Sequence, residues 1–155
     1  MTALASLEHI RKHAVKWILN EDPYVSYTDN DFLSKQKGLD LLPIRQKFLY
    51  SDLVLFYNIV YKLVNIKLPT YVIRMEPQNV ARVTRSTQSI AEGTDRTKMK
   101  CNIRPKVNSF RDSYFYRTVE HWNMLPLELR NVESLAAFKV GLKEHLWLIL
   151  GLDPD

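Results

Sequence analysis

Cysteine is nearly absent: Cys101 is the single one in 155 residues. One thiol cannot make an internal disulfide, a zinc knuckle or a CxxC redox pair, and a reducing, intracellular setting is expected. Glycine is scarce too, with four in the chain, which argues against a phosphate-cradling loop and against an architecture built on tight turns. Long apolar runs are missing. The densest, Leu53 to Val64, follows Asp52 and is broken by Asn58 and Lys62, too short and too polar to span a bilayer, so it reads as a buried helix. Glu8, His9, Arg11 and Lys12 interrupt any signal-peptide core near the start. There is no internal repeat, no low-complexity tract and no nucleophile motif such as GxSxG.

What is present is ordinary for a folded chain: 46% hydrophobic and 25% charged residues, enough to bury a proper core. Leu4, Leu7, Ile10, Ala14, Trp17 and Ile18 recur at helical spacing and form one apolar stripe, with Arg11, Lys12 and Lys16 off it, before Asp22 and Pro23 end the helix. A polar connector follows from Tyr24 to Gly38. Pro43 suits the first turn of a second helix running to about Asn65, with Phe48, Phe56, Ile59, Val60 and Leu63 among its apolar positions. Phe115, Val119, Trp122 and Leu125 return to helical spacing, closed by Pro126. Ser134 is placed to cap a last helix bearing Leu135, Phe138, Leu142, Leu146 and Ile149, with Gly151 and Pro154 as stop signals. The expected fold is mainly α: one helical domain over residues 1–155 with a small basic β-hairpin insertion. Residues 1–76 form its helical part, 78–108 its basic hairpin and loop, and 109–151 its C-terminal helical part.

Charge is concentrated. Residues 78–111 carry Arg82, Arg85, Arg96, Lys98, Lys100, Arg104, Lys106 and Arg111 against Glu92 and Asp95; eight cations less two anions gives +6, more than the +5 of the whole chain. Met99, Cys101, Ile103 and Val107 alternate with Lys100, Asn102, Arg104 and Lys106, a period of two that predicts a strand with one covered and one basic face. Pro105 implies an edge position, and Val80–Thr87 can pair with it across a loop containing Gly93. Arg82, Arg85, Lys98, Lys100, Arg104, Lys106 and Arg111 are the candidate contacts for a nucleic-acid backbone. Lysines on an edge strand equally serve to discourage aggregation.

Catalytic constellations are incomplete. His9 and His13 stand four apart on the first helix, the spacing that lets two imidazoles share a metal, but Ile10 occupies the place of the general-base glutamate and no third ligand is signalled. Tyr27-Thr28-Asp29-Asn30-Asp31 invites comparison with paired metal-binding aspartates, yet Asn30 separates the carboxylates and apolar strand flanks are missing; a helix cap or solvated connector is the better reading. Cys101 points with the covered residues of its strand and is read as packing. No cofactor and no metal are expected.

Three stretches together resemble the region that follows the polymerase core in non-LTR retrotransposon reverse transcriptases. Leu7 to Ile18 is similar to the helix just after that core. Tyr27, Leu33, Leu39, Leu41, Leu42, Pro43, Ile44, Arg45 and Lys47 match the tyrosine, leucine-rich turn and basic helix start that follow, and Tyr57 to Leu63 resembles the next helix. The most specific stretch is Asn108-Ser109-Phe110, Tyr114-Phe115-Tyr116-Arg117-Thr118-Val119 and Trp122-Asn123-Met124-Leu125-Pro126, trailed by Ser134, Phe138 and Lys139. Phe32, where an arginine is common, and the extra Asp112 and Ser113 depart from the pattern. The resemblance implies a non-catalytic C-terminal extension of a reverse-transcriptase polyprotein, without the polymerase and endonuclease sites, that helps hold RNA template or target DNA in the nucleus. The alternatives are a module docking on the upstream polymerase domain, or a functionless remnant of a truncated element. A metal-dependent hydrolase rests on His9 and His13 alone. No membrane partner is implied.

Overall fold

The computed structural model describes residues 3–75 and 97–151, and they are mainly helical with one small antiparallel ribbon, as the patterning predicts. In chain order the elements are α1 (Ala3–Ile18), α2 (Asp29–Gly38), α3 (Ile44–Val60), β1 (Val72–Arg74), β2 (Met99–Cys101), α4 (Asn108–Arg111), α5 (Tyr114–Met124), α6 (Leu127–Arg130) and α7 (Leu135–Ile149). Two compact units are formed, Met1–Asp52 with Lys139–Asp155, and Leu53–Phe138.

In the first unit, α1 turns an unexpected side inward. At 100° per residue, Leu4, Glu8, Arg11 and Val15 share a face, and these, with Lys16 off it, are the buried or half-buried positions of the helix. The rest of the apolar stripe lies beside that face and is left open, with Ile10 64% and Trp17 88% exposed and Leu7 and Ile18 exposed as well. Glu8 explains the choice of side. Its Oε1 accepts from the Ile44 N–H at 2.7 Å, so a carboxylate satisfies an orphan donor at the positive end of α3. The connector expected from Tyr24 to Gly38 contains a helix, α2. Thr28 begins it: its Oγ1 accepts from the Asp31 N–H at 3.2 Å and donates to Asp31 Oδ2 at 2.6 Å, a reciprocal cap. Lys16 closes the loop before it by donating to the Pro23 and Val25 carbonyls. The core comprises Val15, Phe32, Leu42, Leu142, Leu146 and Trp147.

In the second unit, the part of α3 from Leu53 supplies Phe56, Tyr57, Ile59 and Val60 to a core completed by Val72, Met99, Val119, Trp122, Leu125, Leu129 and Phe138. Burying a large apolar side chain is worth about 1.5–3 kcal/mol, so this cluster dominates the unit. Its rings interlock: Phe56 and Trp122 centroids lie 5.3 Å apart, and Tyr57 stacks on Phe138 at 4.3 Å. The two tyrosine hydroxyls still find acceptors, Tyr57 on the Val132 carbonyl at 2.7 Å and Tyr61 on the Arg130 carbonyl at 2.6 Å. α3 ends at Val60, not near Asn65. Lys62 takes a left-handed conformation (φ 58°) and the Leu63 N–H turns back to the Asn58 carbonyl at 2.8 Å, a helix stop made without glycine or proline. Leu63, expected on the apolar face, is therefore exposed, as is Phe48 in the first unit.

Candidate nucleic-acid interface

The ribbon pairs Val72 with Cys101, Ile73 with Lys100 and Arg74 with Met99. Its flanking rungs are Met75 N–H to Lys98 carbonyl (2.9 Å) and Asn102 N–H to Tyr71 carbonyl (2.7 Å). Alternate residues of β2 therefore bond to β1, and the N–H and C=O of Met99 face the opposite edge. Asn123 of α5 takes both, accepting from Met99 N–H at 2.9 Å and donating to its carbonyl at 2.7 Å. Its side-chain amide stands in for a third strand. Next to it, the Trp122 Nε1–H donates to the Thr97 carbonyl at 2.9 Å. Buried Arg130 donates to the Leu125 carbonyl at 3.0 Å and to Thr97 Oγ1 at 2.9 Å. The Trp-Asn-x-Leu-Pro segment thus fastens the start of β2 to α5 and α6.

This clamp sets where the cations point. Met99 is buried, so Lys98 and Lys100 on either side of it project to the other face, and both are exposed. Arg104, Lys106 and Arg111 are exposed too, Arg111 as the last residue of α4. No described carboxylate pairs with any of these five. Arg82 and Arg85 lie outside the described residues, as does the strand expected over Val80–Thr87; the strand paired with β2 among the described residues is β1.

The single strand expected through Val107 is corrected: β2 stops at Cys101, and Ile103 and Val107 are 48% and 59% exposed rather than covered. Its partner runs out first. Continuing the register would set Arg104 opposite Pro69, which has no N–H to donate, and the Val72 N–H already turns back to the Pro69 carbonyl at 2.9 Å. Arg104 and Lys106 therefore do not share a strand face with Lys98 and Lys100. Cys101 is half-buried, and burial first, then Glu120, pushes its thiol pKa up, the reverse of what a nucleophile needs.

The other sequence candidates resolve locally. His9 and His13 are exposed, with their Nε2 atoms 3.2 Å apart, and among the described residues no group of three or more His, Cys, Asp or Glu is placed to hold a metal. Asp31 Oδ2 accepts from the hydroxyl of Thr28, the N-cap of α2, and Asp29 pairs with Lys12 at 3.6 Å. Beside the open stripe of α1, an apolar recess of about 460 Å³ is lined by Leu7, Ile10, Leu42, Ile44 and Tyr50, with Arg11 and Lys47 also lining it. No described helix is long and apolar enough to cross a membrane. No family model, curated protein or solved structure matches this chain.

Proposed function

We propose that this chain is a non-catalytic extension of a non-LTR retrotransposon-type reverse transcriptase that holds RNA or DNA through the phosphate backbone. The observation that carries the reading is the Asn123 clamp on Met99. It ties the most family-like segment of the sequence to the strand that presents Lys98 and Lys100. It also weakens the competing view of these lysines as guards of an open edge, because the edge of β2 at Met99 is already occupied by Asn123. Affinity would come from charge, without base specificity. The purified chain is expected to incorporate no nucleotides and cut no nucleic acid with magnesium or manganese.

The test is binding to labelled single-stranded RNA and DNA across a salt series. Four phosphate contacts contribute about −3 to the log–log slope on single strands, so changing Lys98, Lys100, Arg104 and Lys106 together to Gln should flatten the slope by about that much. Unchanged affinity and slope would remove the proposal.

A second reading is favoured by the open stripe of α1 and the recess next to it. Here the occupant is the polymerase domain of the same kind of polyprotein, packing on Leu7, Ile10, Trp17 and Ile18. Such a domain supplied in trans should form a complex that persists at high salt and is lost in Ile10→Asp/Trp17→Asp.

A further inference from the structure

The second unit carries a recess of about 730 Å³ where α3 ends, and Lys62, Lys67 and Arg74 line it. None of its described lining residues is acidic; the remainder are apolar apart from Asn65. Leu63 and Ile66 are exposed beside the cations. Such a surface suits a group that is anionic on one side and apolar on the other, as a nucleotide is. We propose that this recess is a second phosphate-binding site for single-stranded nucleic acid, in addition to the cations of the ribbon. The inference rests on the nucleic-acid reading above and extends it to residues outside the basic segment.

Two further observations support it. Arg74 belongs to β1, directly opposite Met99, the residue between Lys98 and Lys100. The recess and the ribbon cations therefore meet on one short piece of sheet, Arg74 on one face and the lysines on the other. A strand passing around this ribbon can reach both. Lys62 is the second. Its φ of 58° lies in the region that favours glycine, and asparagine or aspartate tolerate it better than lysine does. At the two comparable bends of the first unit the chain indeed uses Asn20 and Asp40. At Lys62 a long cationic side chain stands at the same kind of bend, at some expense of backbone energy, which is the pattern of a residue kept for contact rather than for folding.

The ordinary alternative is that Lys62 and Lys67 serve only the negative end of α3. Lys62→Gly separates the two, because it relieves the left-handed backbone while deleting the cation. Binding to a fluorescent oligo-dT and an oligo-U is measured across a salt series on the full chain. The variants are Lys62→Gly, Lys62→Gln/Lys67→Gln, the Lys98/Lys100/Arg104/Lys106→Gln quadruple, and all six changes together. Two lost phosphate contacts should flatten the slope by about 1.4. Lys62→Gly should weaken binding without lowering Tm. If the quadruple abolishes binding while the recess variants bind with wild-type affinity and slope, the recess is no site and the ribbon reading stands alone. If the recess variants weaken binding and the quadruple does not, the recess stands and the ribbon reading falls. A wild-type chain that binds neither oligonucleotide rejects both.

Discussion

Asn123 holds Met99 by both of its backbone polar groups, through contacts of 2.9 and 2.7 Å. Removing the amide strands a half-buried N–H and C=O together, and each lost partner costs about 1–3 kcal/mol where water cannot replace it. Asn123→Ala should therefore lower unfolding free energy in urea by about 2 kcal/mol and speed hydrogen exchange at Met99 above that at Val119. Exchange at Met99 as slow as in the parent would refute the clamp.

Trp122 is fully buried and Trp147 nearly so, whereas Trp17 is almost wholly exposed. Iodide should reach one of the three indoles in the folded chain, and Trp17→Phe should abolish the quenchable component. Trp122→Ala should destabilise by about 3–5 kcal/mol. Trp122→Phe should cost less, since it keeps most of the packing and gives up the bond to the Thr97 carbonyl. Ready quenching that survives in Trp17→Phe would contradict this assignment.

Thr118 Oγ1 is buried without a hydrogen-bond partner among the described residues. A hydroxyl in that state costs about 1–3 kcal/mol relative to solvent, and valine fills nearly the same shape. Thr118→Val is expected to raise the urea midpoint, by about 1 kcal/mol in stability. A decrease would mean that the hydroxyl is satisfied in solution.

His145 has its pKa lowered below 6.5 by burial. The unfolded chain then binds a proton that the folded chain refuses, so stability rises with pH in that interval. The contribution of this site is fully present above about pH 6.5, declines as pH falls through the unfolded value, and levels off below the folded one. His145→Gln should flatten unfolding free energy against pH over the interval just below about 6.5. A parent chain already flat across that range would count against a desolvated imidazole.

Much of the architecture was legible because burial follows period. Val119, Trp122 and Leu125 are buried as their spacing requires, and so are Phe138, Leu142 and Leu146. α2 was not legible, since it buries only Phe32 and Gln36 and has no apolar stripe; its signal was the Thr28–Asp31 cap. The stop of α3 at Lys62 escaped because its residue type does not announce a left-handed bend. Periodicity also identified the most apolar side of α1, yet hydrogen bonding by Glu8 decided which side turned inward. At the candidate site, the exposure of Lys98 and Lys100 followed from alternation. Arg104 and Lys106 did not, because the length of β2 is set by its partner and not by its own pattern. Lys62, Lys67 and Arg74 are scattered across a helix end, a connection and a strand, and only the fold brings them together.

The hydroxyl of Tyr57 reaches a carbonyl 75 positions further along the chain, and that of Tyr61 one 69 positions further. During synthesis at about 5–20 residues per second, α3 is made roughly 4–15 seconds before these partners exist. Phe56 and Tyr57 lack their native cover, Trp122 and Phe138, until that interval ends. The second unit therefore cannot close as a helix-by-helix assembly, and its late-made end decides when the early one is safe from aggregation.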